Sequence, residues 1–195
     1  SMVRSMVRWA GVSVLLVAAC AKVDKVELKL AQPLLTTAGQ ATTATATALD
    51  ADGKAMEGKT FEFSSSDPSI ATVDATGQVK AVKSGEASIV AKVGDKAAEA
   101  KVDVRIPARI EMPAEITLEG IGAPVDVAAT VLDDAGRPLK GAALNYEIGD
   151  PSIVTFSGRT LTGIALGSTQ LKASFGSIRA EAAIKVVQPQ FAQLV

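Results

Sequence analysis

Phe61–Gly85 reads FEFSSSDPSIATVDATGQVKAVKSG, and Leu144–Gly167 reads LNYEIGDPSIVTFSGRTLTGIALG. Each stretch opens with an alternating strand and breaks at the same Asp-Pro-Ser-Ile. Each then makes a short strand, turns at a glycine (Gly77, Gly158) and ends in a third strand closed by another glycine (Gly85, Gly167). Asp67 and Asp150 are 83 residues apart, as are Gly53 and Gly136, whereas Gly85 and Gly167 are 82 apart, so one residue is lost near the second glycine turn. A period this long is a whole domain rather than a solenoid unit.

The residues inside the repeat have local reasons. Pro68 pushes Asp67 out of the helical region and starts a turn, Ser69 can bond the backbone within it, and Ile70 returns to the core. Ile70, Val73, Val79 and Val82, then Ile89, Ala91 and Val93, supply successive inward positions. Upstream, Val26, Leu28 and Leu30 alternate with charged residues until Pro33 interrupts, which reads as an edge strand broken in the middle. Ala41–Leu49 alternates Ala with Thr. Helix competes because alanine favours it, but strict period two with a β-branched residue at every second place argues strand. That strand puts Ala44, Ala46 and Ala48 on one face, with space for Phe61 and Phe63. Asp50-Ala51-Asp52-Gly53 reads as a hairpin-type turn. It resembles part of an EF-hand calcium loop, but further ligands are missing at the required offsets, and the second copy changes it to Asp133-Asp134-Ala135-Gly136.

The second copy repeats the plan with heavier residues. Val125–Leu132 stands for the Ala/Thr strand, Leu144 and Tyr146 for the phenylalanine pair, and 169–175 with 178–187 form the last hairpin around Gly176. About seven short strands per copy with regular turns predict an all-β chain of two tandem sandwiches, 25–105 and 106–188. With 4% aromatics and much Ala and Val, each core is thin and its stability moderate. Arg105-Ile106-Pro107 leaves a linker of almost no length, which bends without letting the domains drift apart.

Residues 1–19 read as targeting. Arg4 and Arg8 precede an uncharged run, Trp9–Ala19, too short to span a bilayer, and the run ends at the one cysteine of the sequence, Cys20. Val17-Ala18-Ala19-Cys20 resembles the lipobox of bacterial lipoproteins. The resemblance implies lipidation of Cys20, a tether over 20–24 and, with Ala21 following, the outer membrane facing either the periplasm or the cell surface. An ordinary signal peptide is the alternative, and the doubled Ser-Met-Val-Arg of residues 1–8 leaves the start residue open. Two or three acyl chains anchor stably where one holds only marginally.

The repeat resembles the group 2 bacterial immunoglobulin-like domains, also found in intimin- and invasin-type surface proteins. The residues that carry it are Ser65–Val73, the Gly77 turn, Lys83-Ser84-Gly85-Glu86-Ala87, and in the second copy Asp150–Val154 and Gly167-Ser168-Thr169. Ile148-Gly149 replaces the serines there. The resemblance implies an immunoglobulin-like fold and a cell-envelope setting, and it implies no activity.

The chemistry is largely absent. The sequence has no histidine and one cysteine, which removes the commonest bases, nucleophiles and zinc ligands, and no cofactor or metal is expected. Lys83-Ser84 as a dyad, and Glu62 with Asp67 or Asp133 with Asp134 as glycosidase carboxylates, are weighed against plain turns, which suit them better. Phe61, Phe63, Tyr146, Phe156 and Phe175 sit at apolar strand positions and read as core. A formal charge of −1 gives no reason to expect nucleic acid. The expectation is a non-enzymatic, lipid-anchored spacer or protein-interaction module, with an adhesin-like binder of protein or glycan as the alternative. The far end of the second domain should carry loops 119–124, 149–152 and 165–168, making Glu119 and Asp150 candidate partner contacts, while Asp133–Arg137 turns back toward the first domain. Within the tail, 189–195, Phe191 and Leu194 are apolar residues without a core position. They belong either to a terminus that frays or folds back, or to a segment that docks on a partner.

Overall fold

The computed structural model describes residues 22–190, and every strand, pairing and contact below is among them. Val17, Ala18, Ala19 and Cys20, and Phe191 and Leu194 in the tail, lie outside the described residues.

The first copy contains β1 (Lys25–Leu30), β2 (Leu34–Leu35), β3 (Ala41–Leu49), β4 (Ala55–Met56), β5 (Glu62–Ser65), β6 (Ala71–Val73), β7 (Gln78–Ala81), β8 (Gly85–Val93) and β9 (Lys96–Val104). One sheet runs β1-β3-β7-β6 with β4 beside β3, and the other runs β2-β9-β8-β5. Pro33 breaks the first strand as expected, and the break does a definite job. Ahead of it β1 pairs antiparallel with β3, and after it β2 pairs parallel with β9 in the facing sheet. Ala44, Ala71, Val79 and Ala81 from one sheet meet Leu35, Ala87, Ile89, Val102 and Val104 from the other. Phe63 fills in beside the small alanines, and Phe61 leans on Phe63 at 6.4 Å between ring centroids.

The second copy contains β10 (Pro107–Glu111), β11 (Glu115–Glu119), β12 (Pro124–Asp126), β13 (Thr130–Asp133), β14 (Asn145–Ile148), β15 (Val154–Ser157), β16 (Thr160–Gly163), β17 (Gly167–Phe175) and β18 (Ile178–Val187). Its sheets are β11-β18-β17-β14, β12-β16-β15 and β10-β13. The expected single strand over 125–132 is two strands, because the chain changes partners midway. β12 pairs with β16 and β13 with β10, while between them the buried Val127 gives its N–H to the Arg159 carbonyl. Tyr146 packs against Phe156 at 4.7 Å between ring centroids, over a core of Leu118, Val127, Val154, Leu161, Leu171 and Ile184.

The signature turn works differently from its sequence reading. In Asp67-Pro68-Ser69-Ile70 the aspartate caps a single turn: its Oδ1 accepts the Ser69 backbone N–H at 3.0 Å and the Ser69 hydroxyl at 2.5 Å. Asp150 does the same with Ser152 at 2.9 and 2.6 Å. Proline directly after a capping aspartate is the favoured order, since its fixed φ suits the first residue of the turn and its missing N–H would be unpaired there anyway. Ser69 therefore bonds the carboxylate, not the backbone. The Ile70 carbonyl then takes the N–H of both Val82 and Lys83, and Ile153 takes those of Ile164 and Ala165. This explains the glycine closing each unit. A Cβ on Gly85 would stand 2.5 Å from Ile70 Cδ1, and one on Gly167 would stand 3.1 Å from Ile153 Cδ1. Val82, expected inside, is exposed, because Val79 and Ala81 take the inward positions of β7 and period two turns the next residue outward.

Candidate functional site: the joint and the far pole

The two sandwiches meet around one carboxylate. Asp133 closes β13, and its Oδ1 accepts the backbone N–H of Ala135 at 3.0 Å and of Arg137 at 2.8 Å, which folds the Asp133–Arg137 turn. Its Oδ2 accepts Arg105 Nε at 2.8 Å and Arg137 Nε at 3.0 Å. Arg105 belongs to the linker, and Arg137 reaches back into the first copy, bonding Asp103 at 3.2 Å and the Val104 carbonyl at 2.7 Å. Ser84, directly before β8, is the second staple. Its N–H bonds Asp134 Oδ1 at 2.9 Å, and its Oγ accepts the Ile106 N–H at 2.7 Å.

Asp133 is fully buried. Burial pushes its carboxyl up, and the Arg137 backbone N–H, the Arg105 side chain and the Arg137 charge outweigh it, holding the group below the ordinary carboxylate range. Two open clefts of about 580 and 590 Å³ flank the joint and share Thr36, Leu139 and Phe175. The apolar walls there stand apart, so polar staples hold the angle between the sandwiches. The first copy has the same turn without this duty: Asp50 Oδ1 accepts the N–H of Asp52 and Lys54, and no arginine reaches it. Sequence reasoning placed Asp133–Arg137 facing the first domain, and the contacts put it there. It missed Arg105, Asp103 and Ser84. The signal was present in the changes from Ala51 to Asp134 and from Lys54 to Arg137 at equivalent turn positions.

At the opposite end, Glu119 and Asp150 come to the same pole. Glu119 lies opposite Val187, Val186 lies opposite Gly167, and Thr169 Oγ1 takes the Asp150 N–H at 2.8 Å. Glu119 is exposed, whereas the Asp150 carboxylate is already committed to Ser152, whose hydroxyl and backbone N–H hold its pKa low. Four of the candidate catalytic groups are likewise employed. Asp67 caps its turn, Asp133 and Asp134 staple the joint, and Ser84 accepts the Ile106 N–H beside an exposed Lys83. Among the described residues no group of acidic or sulfur ligands is arranged for a metal ion, and no helix is long and apolar enough to cross a membrane.

Residues 22–104 match the family model of the bacterial Ig-like domain (group 2). The first sandwich is a group 2 bacterial immunoglobulin-like domain. The second sandwich repeats the topology of this group 2 domain: a cap turn, a hairpin and a closing glycine opposite the last strand. Among solved structures the chain is similar to FdeC, an Escherichia coli adhesin, at 18% identity and a TM-score of 0.61, covering 85% of this chain and 65% of that one. It is also similar to invasin, a bacterial integrin-binding protein, at 17% identity and a TM-score of 0.51, covering 84% and 40%. Domains 1–6 of the surface layer protein SbsC match at 20% identity and a TM-score of 0.43, covering 89% and 29%. The chain spans less than two thirds of each of these structures, and at such identities the likeness to FdeC and invasin is one of fold. Comparison with curated proteins gives no match.

Proposed function

We propose that the protein is a non-enzymatic envelope or surface protein, held by lipid on Cys20 with the outer membrane as its address, that serves as spacer and protein-interaction module. The carrying observation is the stapled joint. A linker whose arginine bonds a buried carboxylate of the next domain, with Arg137 returning the contact, transmits orientation from the membrane end to the far pole. A mere tether needs no such staple. Partner contact is assigned to the far pole, through the loops at Glu119 and Asp150 and through Phe191 and Leu194. The occupied carboxylates and the absence of histidine fit a binding role rather than catalysis.

An adhesin-like binder of protein or glycan is the second reading, favoured by exposed apolar residues at that pole and by the fold shared with an adhesin and an integrin-binding protein. Cross-linked membranes carrying the full chain, followed by pull-down, test the first reading; a glycan array with the purified chain tests the second. A stable envelope partner lost on Cys20→Ser, with the chain released from the membrane, supports the anchored spacer. Glycan capture without an envelope partner, or a Cys20→Ser chain still processed and membrane-bound, overturns it.

A further inference from the structure

The two sandwiches finish in the same geometry, and three equivalent seats carry opposite surface chemistry. Gly85 lies opposite Val104 and Gly167 opposite Val186, so Ser84 corresponds to Leu166 and Arg105 to Val187. Gly39 and Gly122 donate to the equivalent carbonyls of Ala81 and Gly163, so Ala38 corresponds to Ile121. At the joint these seats are small or polar and receive the second sandwich. At the far pole Ile121 is 64% exposed, Leu166 47% and Val187 39%, with Ile164 beside them at 44%. That places four of the six exposed large hydrophobics of the described residues on one end, a clustering that marks a covered or docking surface. Ile121 is held out on a tip between Gly120 and Gly122, at φ 109° and 81°, a backbone that only glycine adopts freely. The Gly120 N–H to the Val187 carbonyl and the Gly122 N–H to the Gly163 carbonyl fix that tip.

We propose that this pole is covered by the chain's own residues 191–195, Phe-Ala-Gln-Leu-Val. The chain arrives at the right place: the Pro189 ring carbons lie 3.7 Å from where a Cβ on Gly120 would stand, next to Ile121. Five residues reach up to about 17 Å, more than the roughly 10 Å between packed sheets. The segment carries no charged side chain and offers Phe191, Leu194 and Val195 to a patch that is aliphatic throughout. Covalent attachment gives it an effective concentration in the millimolar range, against which a second copy competes poorly at micromolar protein. The inference concerns the free protein and does not rest on the proposed function.

Methyl NMR of the full chain tests it. The Ile121, Ile164 and Leu166 methyls should carry a ring-current shift that is independent of protein concentration. Phe191→Ala should move them to the positions they take when residues 191–195 are deleted, while the Leu35 and Ile89 methyls of the first core stay put as a check on folding. Pole methyls unchanged by deletion overturn the proposal. Shifts that grow with concentration and survive the deletion overturn it in favour of a second copy. Shifts that appear only when envelope extract is added overturn it in favour of a foreign partner.

Discussion

Replacing Asp133 by asparagine isolates the staple from the turn. The new side chain keeps an oxygen for the N–H of Ala135 and Arg137, so the turn survives, but it presents an amide donor where Oδ2 met two guanidinium groups. Breaking one partner out of a buried ion pair costs about 3–5 kcal/mol. Arg105 and Arg137 are 22% and 33% exposed and recover part of their hydration, which puts the expected loss at the lower end, about 3 kcal/mol. For a domain of this size that is a fall in Tm on the order of 10–20 °C for the second sandwich. The control is Asp50→Asn, in the same turn without arginines, where the change should stay within about 0.5 kcal/mol. Urea unfolding of the full chain, followed by Tyr146 fluorescence in the second sandwich, reads the difference. Equal midpoints for the two variants would refute the reasoning, since the arginines would then contribute nothing.

The pH dependence has a defined sign. The folded Asp133 carboxyl lies below its unfolded value, so its stabilisation is fully present above the unfolded pKa of about 3.9 and is lost as pH falls through the folded value. Unfolding curves of wild type and Asp133→Asn should therefore stay apart at neutral and mildly acidic pH and converge only below about pH 4. Gly85→Ala should destabilise by about 1–3 kcal/mol through its clash with Ile70, and more than Gly167→Ala, because the Ile153 methyl stands farther off. Ile70→Val alongside Gly85→Ala should recover part of the loss, and a fully additive double mutant in thermal melts would count against the clash. Calcium should leave Tm unchanged, because the turn carboxylates of Asp50 and Asp133 already accept backbone N–H groups. A site filled at one hundred times its dissociation constant would add about 2.7 kcal/mol, which calorimetry detects readily.

The fold was legible because its signals are local. Period-two alternation in Ala41–Leu49, the Asp-Pro-Ser-Ile cap and the glycines that follow each act over a few residues, and the near-constant offset between copies pairs them without any structure. The one-residue deficit also has a plain location. Five residues separate Val73 from its partner Val79, and four separate Phe156 from Leu161. The joint was half legible. The direction of the Asp133 turn follows from counting strands, but its partners Arg105 and Asp103 lie about thirty residues away, and no periodicity links them. Val82 failed for a local reason: it stands three residues from Val79, an odd step that in a strand leads to the opposite face, and Ala81 holds the inward place. At the far pole the sequence named the loops, yet it could not show that Asp150 is consumed by its own turn or that Ile121 stands out on two glycines.

The parallel pairing that closes each sandwich also governs how the molecule bears tension. A chain pulled between its two ends loads the early and late strands of each sandwich in opposite directions. A parallel ladder between them is sheared as a whole instead of being unzipped one rung at a time. In the second sandwich that ladder has five rungs, Glu115–Glu119 against Ala183–Val187, and in the first it has two, Leu34 and Leu35 against Asp103 and Val104. Under load the first sandwich is thus the element that yields first, lengthening the chain while the second sandwich keeps its shape.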